Sequence, residues 1–307
     1  MKIFSLENFD YNYQKIIIIG NFDGIHKGHQ ELINFAKKIA DEKKFKLGIL
    51  TFEPHPISFF SKNLKNYRIT NKNLKAEILE NYSLDFLINA EFNQEFASIS
   101  AEDFIEEILV KKLNSNIVVT GEDFIFGKNR VGNKNLLTDF SKKSGFEYFS
   151  ISLKNDENNN KFSSRNIRTE IEKGNLQAVF KMLGRNYIIS GEVIKGRGEG
   201  RKLGFPTANL DFDDFIIPKF GVYFCNLFIE GKSYKALTNI GVRPSFDLTK
   251  PLIEIHIPNF SEDIYGKKIK LELLEFVRNE IKFNSIDELK TQISEDVKNF
   301  YKKFNAN

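Results

Sequence analysis

The chain has 307 residues, enough for two domains of ordinary size, and its hydrophobic content of 41% is typical of a globular protein. Its 45 basic and 41 acidic residues leave a net charge of only +4, which argues against binding DNA or RNA through bulk electrostatics. There is no apolar run of about 18 residues and no apolar leader, and a single cysteine excludes an internal disulfide, so we expect a cytoplasmic protein with no membrane partner.

The first strongly patterned element is a strand at residues 16–19, where four isoleucines in a row indicate a fully buried, central position in a parallel sheet. It runs into a glycine-bearing turn made of Gly20, Asn21, Phe22, Asp23 and Gly24. His26 and His29 stand at the start of the helix that follows, so the sequence places two imidazoles and unpaired backbone N–H groups at the carboxyl end of a strand. Such a place suits an anionic ligand. A zinc site is disfavoured because no third ligand is nearby.

Strands and helices alternate through the rest of the first half. Strands are predicted at 46–51, 85–89 and 116–120, and helices at 72–81 and from Ser100 onward. The first of these strands ends at His55, which stands between two prolines and is as consistent with a structural as with a functional role. The last ends in a glycine-bearing loop that contains Asp123 and is not a P-loop. The alternation predicts a doubly wound parallel sheet.

A polar stretch at 154–161 predicts a surface loop, and a helix follows from Ser163 and Ser164 to about Lys173. Hydroxyls together with Arg165 and Arg168 at a helix start can clamp a polyphosphate, although an ordinary N-cap with surface arginines explains them equally well. A further helix at 176–183 ends at Gly184, a residue type suited to a C-cap. We place the domain boundary there, which gives domains of 1–184 and 185–307.

Short apolar runs separated by glycine and proline replace this alternation in the second half. They lie at 187–193, 221–228, 234–240, 252–257 and 269–276. Runs of this kind predict an antiparallel barrel or sandwich. A helix with one apolar face is predicted at 286–304, and the single cysteine, Cys225, is predicted to be a buried thiol.

The densest motif of the second half is a glycine-rich and basic segment with Gly196, Gly198, Gly200 and Arg201. Its backbone N–H groups could wrap phosphates, but Pro206 and the absence of a following helix argue against a dinucleotide fingerprint. Thr207 and Asn209 are two apart on an extended chain and would offer oxygen ligands to Mg²⁺ from one side. A plain polar hairpin is the alternative.

Residues 252–257 alternate cleanly between apolar and polar side chains. Ile253 and Ile255 share one face of the predicted strand, and Glu254 and His256 share the other. A solvent-facing polar pair is the usual explanation. If that face looks into a ligand cleft, Glu254 is a candidate general base for a hydroxyl.

Taken in order over about 15–300, these motifs resemble the bacterial bifunctional riboflavin kinase/FMN adenylyltransferase family, the prokaryotic FAD synthetases. The turn through His29 is similar to the H-x-G-H signature of nucleotidyltransferases, and residues 51–56 and 121–127 to the family's flavin-side loops. Residues 163–168 are similar to its S-S-T-x-I-R motif and 200–209 to its kinase motif, and Glu254 falls where the family keeps its base.

The resemblance implies an N-terminal nucleotidyltransferase domain with a doubly wound parallel sheet and a C-terminal antiparallel β-barrel kinase domain with a terminal helix. It implies that ATP phosphorylates riboflavin in the second domain, with Glu254 as base and Thr207 and Asn209 holding Mg²⁺. It further implies that the first domain adenylylates FMN, with His26, His29 and Arg168 stabilising phosphate charge. Nucleotide and flavin binding fall to the remaining motif residues, namely Gly20, Asn21, Phe22, Asp23, Gly24, His55, Asp123, Ser163, Ser164, Gly196, Gly198, Gly200 and Arg201.

The departure from the family pattern that matters is Arg165, which stands where the family usually has threonine; Ser245 in place of threonine after Pro244 is a milder change that keeps a hydroxyl. The loss of the threonine hydroxyl at position 165 leaves open a riboflavin kinase with impaired adenylyl transfer. A flavin-binding protein without turnover is the alternative from another class. The expected partners are the small molecules riboflavin, FMN and ATP, with no nucleic acid, in a monomer or weak homo-oligomer.

Overall fold

The computed structural model describes residues 1–61, 64–152, 162–196, 200, 203–212, 214–242 and 251–304. The chain divides into two compact units. The N-terminal unit comprises Met1–Lys65 and Asn71–Ser164, and the C-terminal unit comprises Asn66–Thr70 and Arg165–Asn307. The domain boundary at residue 184 stays a prediction of the sequence, and the loop predicted at 154–161 lies outside the described residues.

A parallel sheet of six strands forms the centre of the N-terminal unit. Its strands are β1 (Lys2–Ser5), β2 (Lys15–Ile19), β3 (Lys46–Glu53), β4 (Phe86–Glu91), β5 (Ile117–Gly121) and β6 (Glu147–Ile151), in the order β1-β4-β3-β2-β5-β6. The isoleucine strand β2 lies between β3 and β5, and every one of its residues is buried. The predicted doubly wound sheet with a central, fully buried strand is therefore confirmed.

Helices connect the strands of this sheet. They are α1 (Lys27–Lys43), α2 (Pro56–Phe60), α3 (Lys72–Glu80), α4 (Gln94–Ala97), α5 (Ala101–Asp103) and α6 (Lys134–Ser144), and they are followed in the chain by α7 (Ser164–Glu172) and α8 (Leu176–Leu183). Ser100 caps α5 as predicted, since its Oγ accepts from Asp103 N at 2.9 Å. The helix continues as a π-helix at Phe104–Lys112, whose wider turn places Ile105, Leu109 and Leu113 together on the buried side.

The C-terminal unit contains a closed antiparallel barrel. Its strands are β7 (Tyr187–Ile194), β8 (Ala208–Phe212), β9 (Gly221–Ile229), β10 (Lys232–Val242), β11 (Pro251–His256) and β12 (Lys268–Asn279), in the order β10-β11-β8-β7-β12-β9. Because the strands form a closed sheet, the predicted barrel is confirmed and the alternative sandwich is wrong. The strand β8 was not predicted, because the glycines and proline just before it mask a short apolar run. Among the described residues, no helix is both long enough and apolar enough to cross a membrane.

The last helix, α9 (Ile286–Phe304), covers part of the barrel's outer surface. Its Phe300 packs with Val222, Phe224 and Leu237 of β9 and β10. A bidentate ion pair anchors it further: Arg278 Nε of β12 lies 2.9 Å from Asp296 Oδ1, and Arg278 Nη2 lies 2.6 Å from Asp296 Oδ2. The Asp296 carboxylate is buried, so this pair is shielded from solvent.

We expect Asp296→Ala to destabilise the barrel by about 3 kcal/mol, because it leaves the partly buried Arg278 guanidinium without its partner. The chain's single cysteine can report this, since Cys225 is buried in β9 and burial raises the pKa of its thiol to about 12. Thiol labelling of Cys225 under native conditions should therefore accelerate in the variant. Glu295→Ala, at the exposed neighbouring position of α9, is the matched control. Equal labelling rates in the two variants would show that the ion pair contributes nothing to stability.

Candidate active sites

A sharp turn joins β2 to α1 in the N-terminal unit. The backbone leaves the sheet at Gly20, whose N–H donates to Leu50 O of β3 at 3.2 Å. Phe22 and Ile25 then adopt φ values of 51° and 41°, and Gly24 one of 83°. Positive φ is unusual for a phenylalanine and strained for a β-branched isoleucine. Such strain persists only where the surroundings enforce it, and it concentrates at functional sites.

The turn places two stacked imidazoles at the start of α1. His26 is the N-cap: its Nδ1 accepts from His29 N at 3.4 Å, and its C=O accepts from Gln30 N at 3.0 Å. The rings of His26 and His29 lie 3.8 Å apart at an interplanar angle of 20°, and the buried Phe22 ring lies 4.8 Å from that of His29. The turn, the cap and the ring stack together fix both histidines at a positive helix end.

His29 is held in its neutral form. Burial lowers its pKa well below the ordinary value of histidine, and the nearby charges of His26 and Lys75 lower that pKa further. Its Nδ1 is buried and has no hydrogen-bond partner among the described residues. Near pH 7 His29 is therefore an uncharged imidazole with a single N–H to donate.

Two other predicted residues of the N-terminal unit lie in loops at the same edge of the sheet, since they follow the carboxyl ends of β3 and β5 on either side of β2. His55 is buried and caps α2, because its Nδ1 accepts from Ile57 N at 3.2 Å. Asp123 is exposed in the loop after β5. An aromatic cluster continues from α2: the ring of Phe60, itself 67% exposed, lies 5.7 Å from that of Phe92. No local pattern in the sequence indicates this cluster, because Phe60 lies in α2 and Phe92 just after β4.

The serine motif meets the histidine turn directly. Ser164 Oγ donates to Asp23 O at 2.8 Å, so one of the two predicted hydroxyls is tied to the turn's backbone. The ammonium of Lys27, at the start of α1, lies 5.8 Å from the ring centroid of Phe162. These contacts lie within the N-terminal unit and bring together motifs more than a hundred residues apart in sequence.

Arg168 belongs to the C-terminal unit. Its Nε donates to Tyr67 O at 2.8 Å, and its guanidinium lies 3.7 Å from the centroid of the Tyr67 ring, a cation–π contact. Both residues are described with that unit, so the approach of Arg168 to the histidine turn stays a prediction. Arg165, three residues earlier, is exposed.

In the C-terminal unit a polar row crosses the outer face of the barrel. Glu254 of β11 is paired in register with Asn209 of β8 on one side and with Asn239 of β10 on the other. Directly paired residues project from the same face of a sheet. Ile253 and Ile255 are buried while Glu254 is half-buried, which confirms the predicted alternation. Asn239 gave no signal in the sequence, because only the register of β10 places it beside Glu254.

The glycine-rich segment packs closely on this row. A Cβ added at Gly196 would lie 2.3 Å from Asn209 Nδ2, so the backbone of Gly196 lies against the amide. Gly200 O accepts from Leu203 N at 3.1 Å and from Phe205 N at 2.8 Å, and a Cβ at Gly200 would lie 3.1 Å from Thr207 Oγ1. Two glycines are thus required where the segment approaches Thr207 and Asn209. Gly198 and Arg201 lie outside the described residues.

A histidine secures the chain just before Thr207. The Nδ1 of His256 donates to Pro206 O at 2.8 Å, and the ring of His256 lies edge-on to that of Phe205 at 5.9 Å. Asn209 is buried and Thr207 is half-buried. The oxygen donors of these two residues beside a carboxylate are the chemistry that a hard divalent cation such as Mg²⁺ prefers.

Comparison with known proteins gives two family matches, FAD synthetase over residues 9–166 and riboflavin kinase over residues 183–304. The chain is 37% identical to the bifunctional riboflavin kinase/FMN adenylyltransferase of Buchnera aphidicola subsp. Schizaphis graminum, with 96% of this chain and 95% of that one covered. It is 34% identical to the protein of that name from Escherichia coli K12, with 92% and 90% covered. A crystal structure from Streptococcus pneumoniae, described as a macrolide-efflux protein, has the same fold, with a TM-score of 0.84, 30% identity, and 97% and 98% of the two chains covered.

Proposed function

We propose, because this chain belongs to the bifunctional riboflavin kinase/FMN adenylyltransferase family, that it makes FMN and then FAD in two successive transfers from ATP. The C-terminal unit phosphorylates riboflavin, and the N-terminal unit adenylylates the resulting FMN with release of pyrophosphate. The observation that carries the proposal is that each unit holds its own reactive set: the stacked histidines in one, and the Asn209–Glu254–Asn239 row in the other.

In the C-terminal unit, Glu254 takes the proton of the terminal ribityl hydroxyl of riboflavin while that oxygen attacks the γ-phosphorus of ATP, and the bond from this phosphorus to the β-phosphate oxygen breaks to release ADP. Asn209 and Asn239 flank Glu254 in register on the two neighbouring strands. Thr207 and Asn209 would hold Mg²⁺, which neutralises phosphate charge when it is bound. Gly196 and Gly200 allow the backbone to close over these two ligands.

In the N-terminal unit, an FMN phosphate oxygen attacks the α-phosphorus of ATP, and the bond to the pyrophosphate oxygen breaks. No covalent enzyme intermediate is needed, because the FMN phosphate is itself the nucleophile. His26 and His29 at the start of α1 bind the phosphate oxygens, where the helix dipole also favours negative charge. Neutral His29 donates one N–H to charge that grows in the transition state.

The role of Arg168 in neutralising the leaving pyrophosphate rests on the motif alone. Ser163 and Ser164, together with the turn from Gly20 to Gly24, would contact the nucleotide. The aromatic cluster of Phe60 and Phe92 beside His55 supports flavin binding there. The domain boundary near 184 is supported by the riboflavin kinase match, which begins at residue 183. The protein is further proposed to be cytoplasmic, to be a monomer or weak homo-oligomer, and to have no nucleic-acid partner.

Incubation with riboflavin, ATP and Mg²⁺, followed by separation of riboflavin, FMN and FAD, tests the assignment. Both products are expected. A second incubation with FMN and ATP isolates the N-terminal reaction: FMN formation without FAD would favour a kinase whose adenylyl transfer is impaired, the alternative raised by Arg165. Flavin binding without ATP consumption would overturn both and leave a binding protein.

We expect Gly196→Ala to lower riboflavin phosphorylation about 10- to 100-fold, because the added methyl displaces the Asn209 amide that it would otherwise meet at 2.3 Å. Adenylylation of added FMN should be unchanged. Gly231→Asn is the control, since a Cβ at this barrel glycine meets nothing within 4 Å and asparagine tolerates its φ of +81°. Normal kinase turnover in Gly196→Ala would show that the contact with Asn209 is unimportant.

A further inference from the structure

Lys75 is a buried lysine of α3 with no assigned role in either reaction. Only 3% of the residue is exposed. Its Nζ lies 2.7 Å from Glu53 Oε1 and donates to Thr51 Oγ1 at 3.1 Å and to Asn21 O at 3.4 Å. A buried ammonium is costly unless it is paired and hydrogen-bonded, and these contacts explain how the charge is tolerated.

The partners of Lys75 connect it to the histidine turn. Asn21 is the second residue of that turn, and its carbonyl also accepts from Thr51 Oγ1 at 3.1 Å. Thr51 and Glu53 lie at the carboxyl end of β3, the strand beside β2. Lys75 and Thr51 therefore both bind the carbonyl at the point where the turn leaves the sheet. Loss of the Lys75 ammonium would leave that carbonyl with Thr51 Oγ1 as its side-chain donor and so loosen the start of the turn.

The same ammonium acts on His29 through its charge. Burial is the main cause of the low pKa of His29, and the charges of His26 and Lys75 add to it. The titratable groups that act on His29 are thus His26 from its own turn and Lys75 from α3, and Lys75 is itself paired with Glu53 of β3. Lys75 helps to keep His29 uncharged while it holds the turn.

We propose that Lys75 is a positioning residue for adenylyl transfer: its ammonium holds the Asn21 end of the turn against β3 and so sets the two histidine rings for the phosphates. The inference rests on the proposed adenylyl transfer in the N-terminal unit. Lys75 acts only through the residues that it holds. The competing explanation is that Lys75 merely neutralises Glu53.

The test compares Lys75→Met, Lys75→Arg and the double variant Glu53→Gln/Lys75→Met. We expect kcat/KM for adenylylation of FMN to fall about 10- to 100-fold in Lys75→Met, as for a small misplacement of catalytic groups. Loss of the positive charge raises the pKa of His29, so the acid limb of the pH profile moves to higher pH. Lys75→Arg keeps the charge and should keep the wild-type acid limb. The double variant leaves no unpaired carboxylate. It should still show the fall in kcat/KM and the acid limb at higher pH.

Wild-type rates and an unchanged pH profile in the double variant would overturn the inference, because neutralisation of Glu53 would then be the whole role of Lys75. Titration of His29 by NMR gives a readout that needs no turnover: its pKa should rise in Lys75→Met, and an unchanged pKa together with a wild-type rate overturns the inference. Failure of the wild-type protein to make FAD would instead overturn the proposed function. Riboflavin phosphorylation in every variant checks that the C-terminal unit is intact.

Discussion

We expect His29→Ala to lower the rate of FAD formation about 100- to 1,000-fold while FMN formation continues. His29 is a neutral imidazole stacked on His26 at the start of α1, and in the proposed adenylyl transfer its single N–H would meet the phosphate charge that develops. Loss of one such preorganised donor costs about 100- to 1,000-fold in rate. The kinase residues lie in the other unit and keep their contacts.

The measurement is a pair of assays on one preparation, with riboflavin and ATP in the first and FMN and ATP in the second. Asn34→Ala, at an exposed position of the same helix, controls for general effects on α1. His29→Gln keeps a side-chain N–H and should recover part of the rate. An equal fall of both activities in a folded His29→Ala protein would contradict separate sites, and an unchanged FAD yield would remove His29 from the mechanism.

We expect Glu254→Gln to stop riboflavin phosphorylation, with a loss of about 100- to 10,000-fold, while added FMN is still adenylylated. General-base catalysis accounts for losses of this size when the base is removed. Glutamine keeps the shape and size of the side chain between its in-register neighbours Asn209 and Asn239, so the barrel should remain intact. The change therefore isolates the loss of the carboxylate's basicity.

The barrel offers a close structural match as a control. Glu272 of β12 also lies between two asparagines, since Asn226 Nδ2 and Asn186 Nδ2 donate to its carboxylate oxygens at 2.5 and 3.1 Å. It is on a strand that is not a neighbour of β11. Glu272→Gln should leave both activities unchanged. Normal kinase turnover in Glu254→Gln, or an equal loss in Glu272→Gln, would exclude Glu254 as the base.

Much of the fold was predictable because local patterns report which face of an element is buried. The isoleucines of 16–19 indicated a central strand. The alternation around Glu254 indicated which side chains of that strand are buried and which are not. The structure confirms both predictions. The bounds of α8 and α9 followed from a C-cap glycine and an apolar stripe. The strand β8 was missed because its glycine-rich flank obscures a short apolar run. The π-helical stretch was missed because its apolar periodicity, near four residues, does not distinguish a π-helix from an α-helix.

The candidate residues likewise divide into those that local sequence indicates and those that only tertiary contacts reveal. Histidines beside glycines, a hydroxyl two residues from an amide, and a glutamate on a polar face are visible in the chain itself, because their chemistry and spacing are local. Lys75, Asn239 and the contact of Gly196 with Asn209 became evident only in three dimensions, since each depends on strand register or helix packing between distant segments. The low pKa of His29 belongs to this second group, because it results mainly from burial, and then from His26 and from a lysine 46 residues away in the chain.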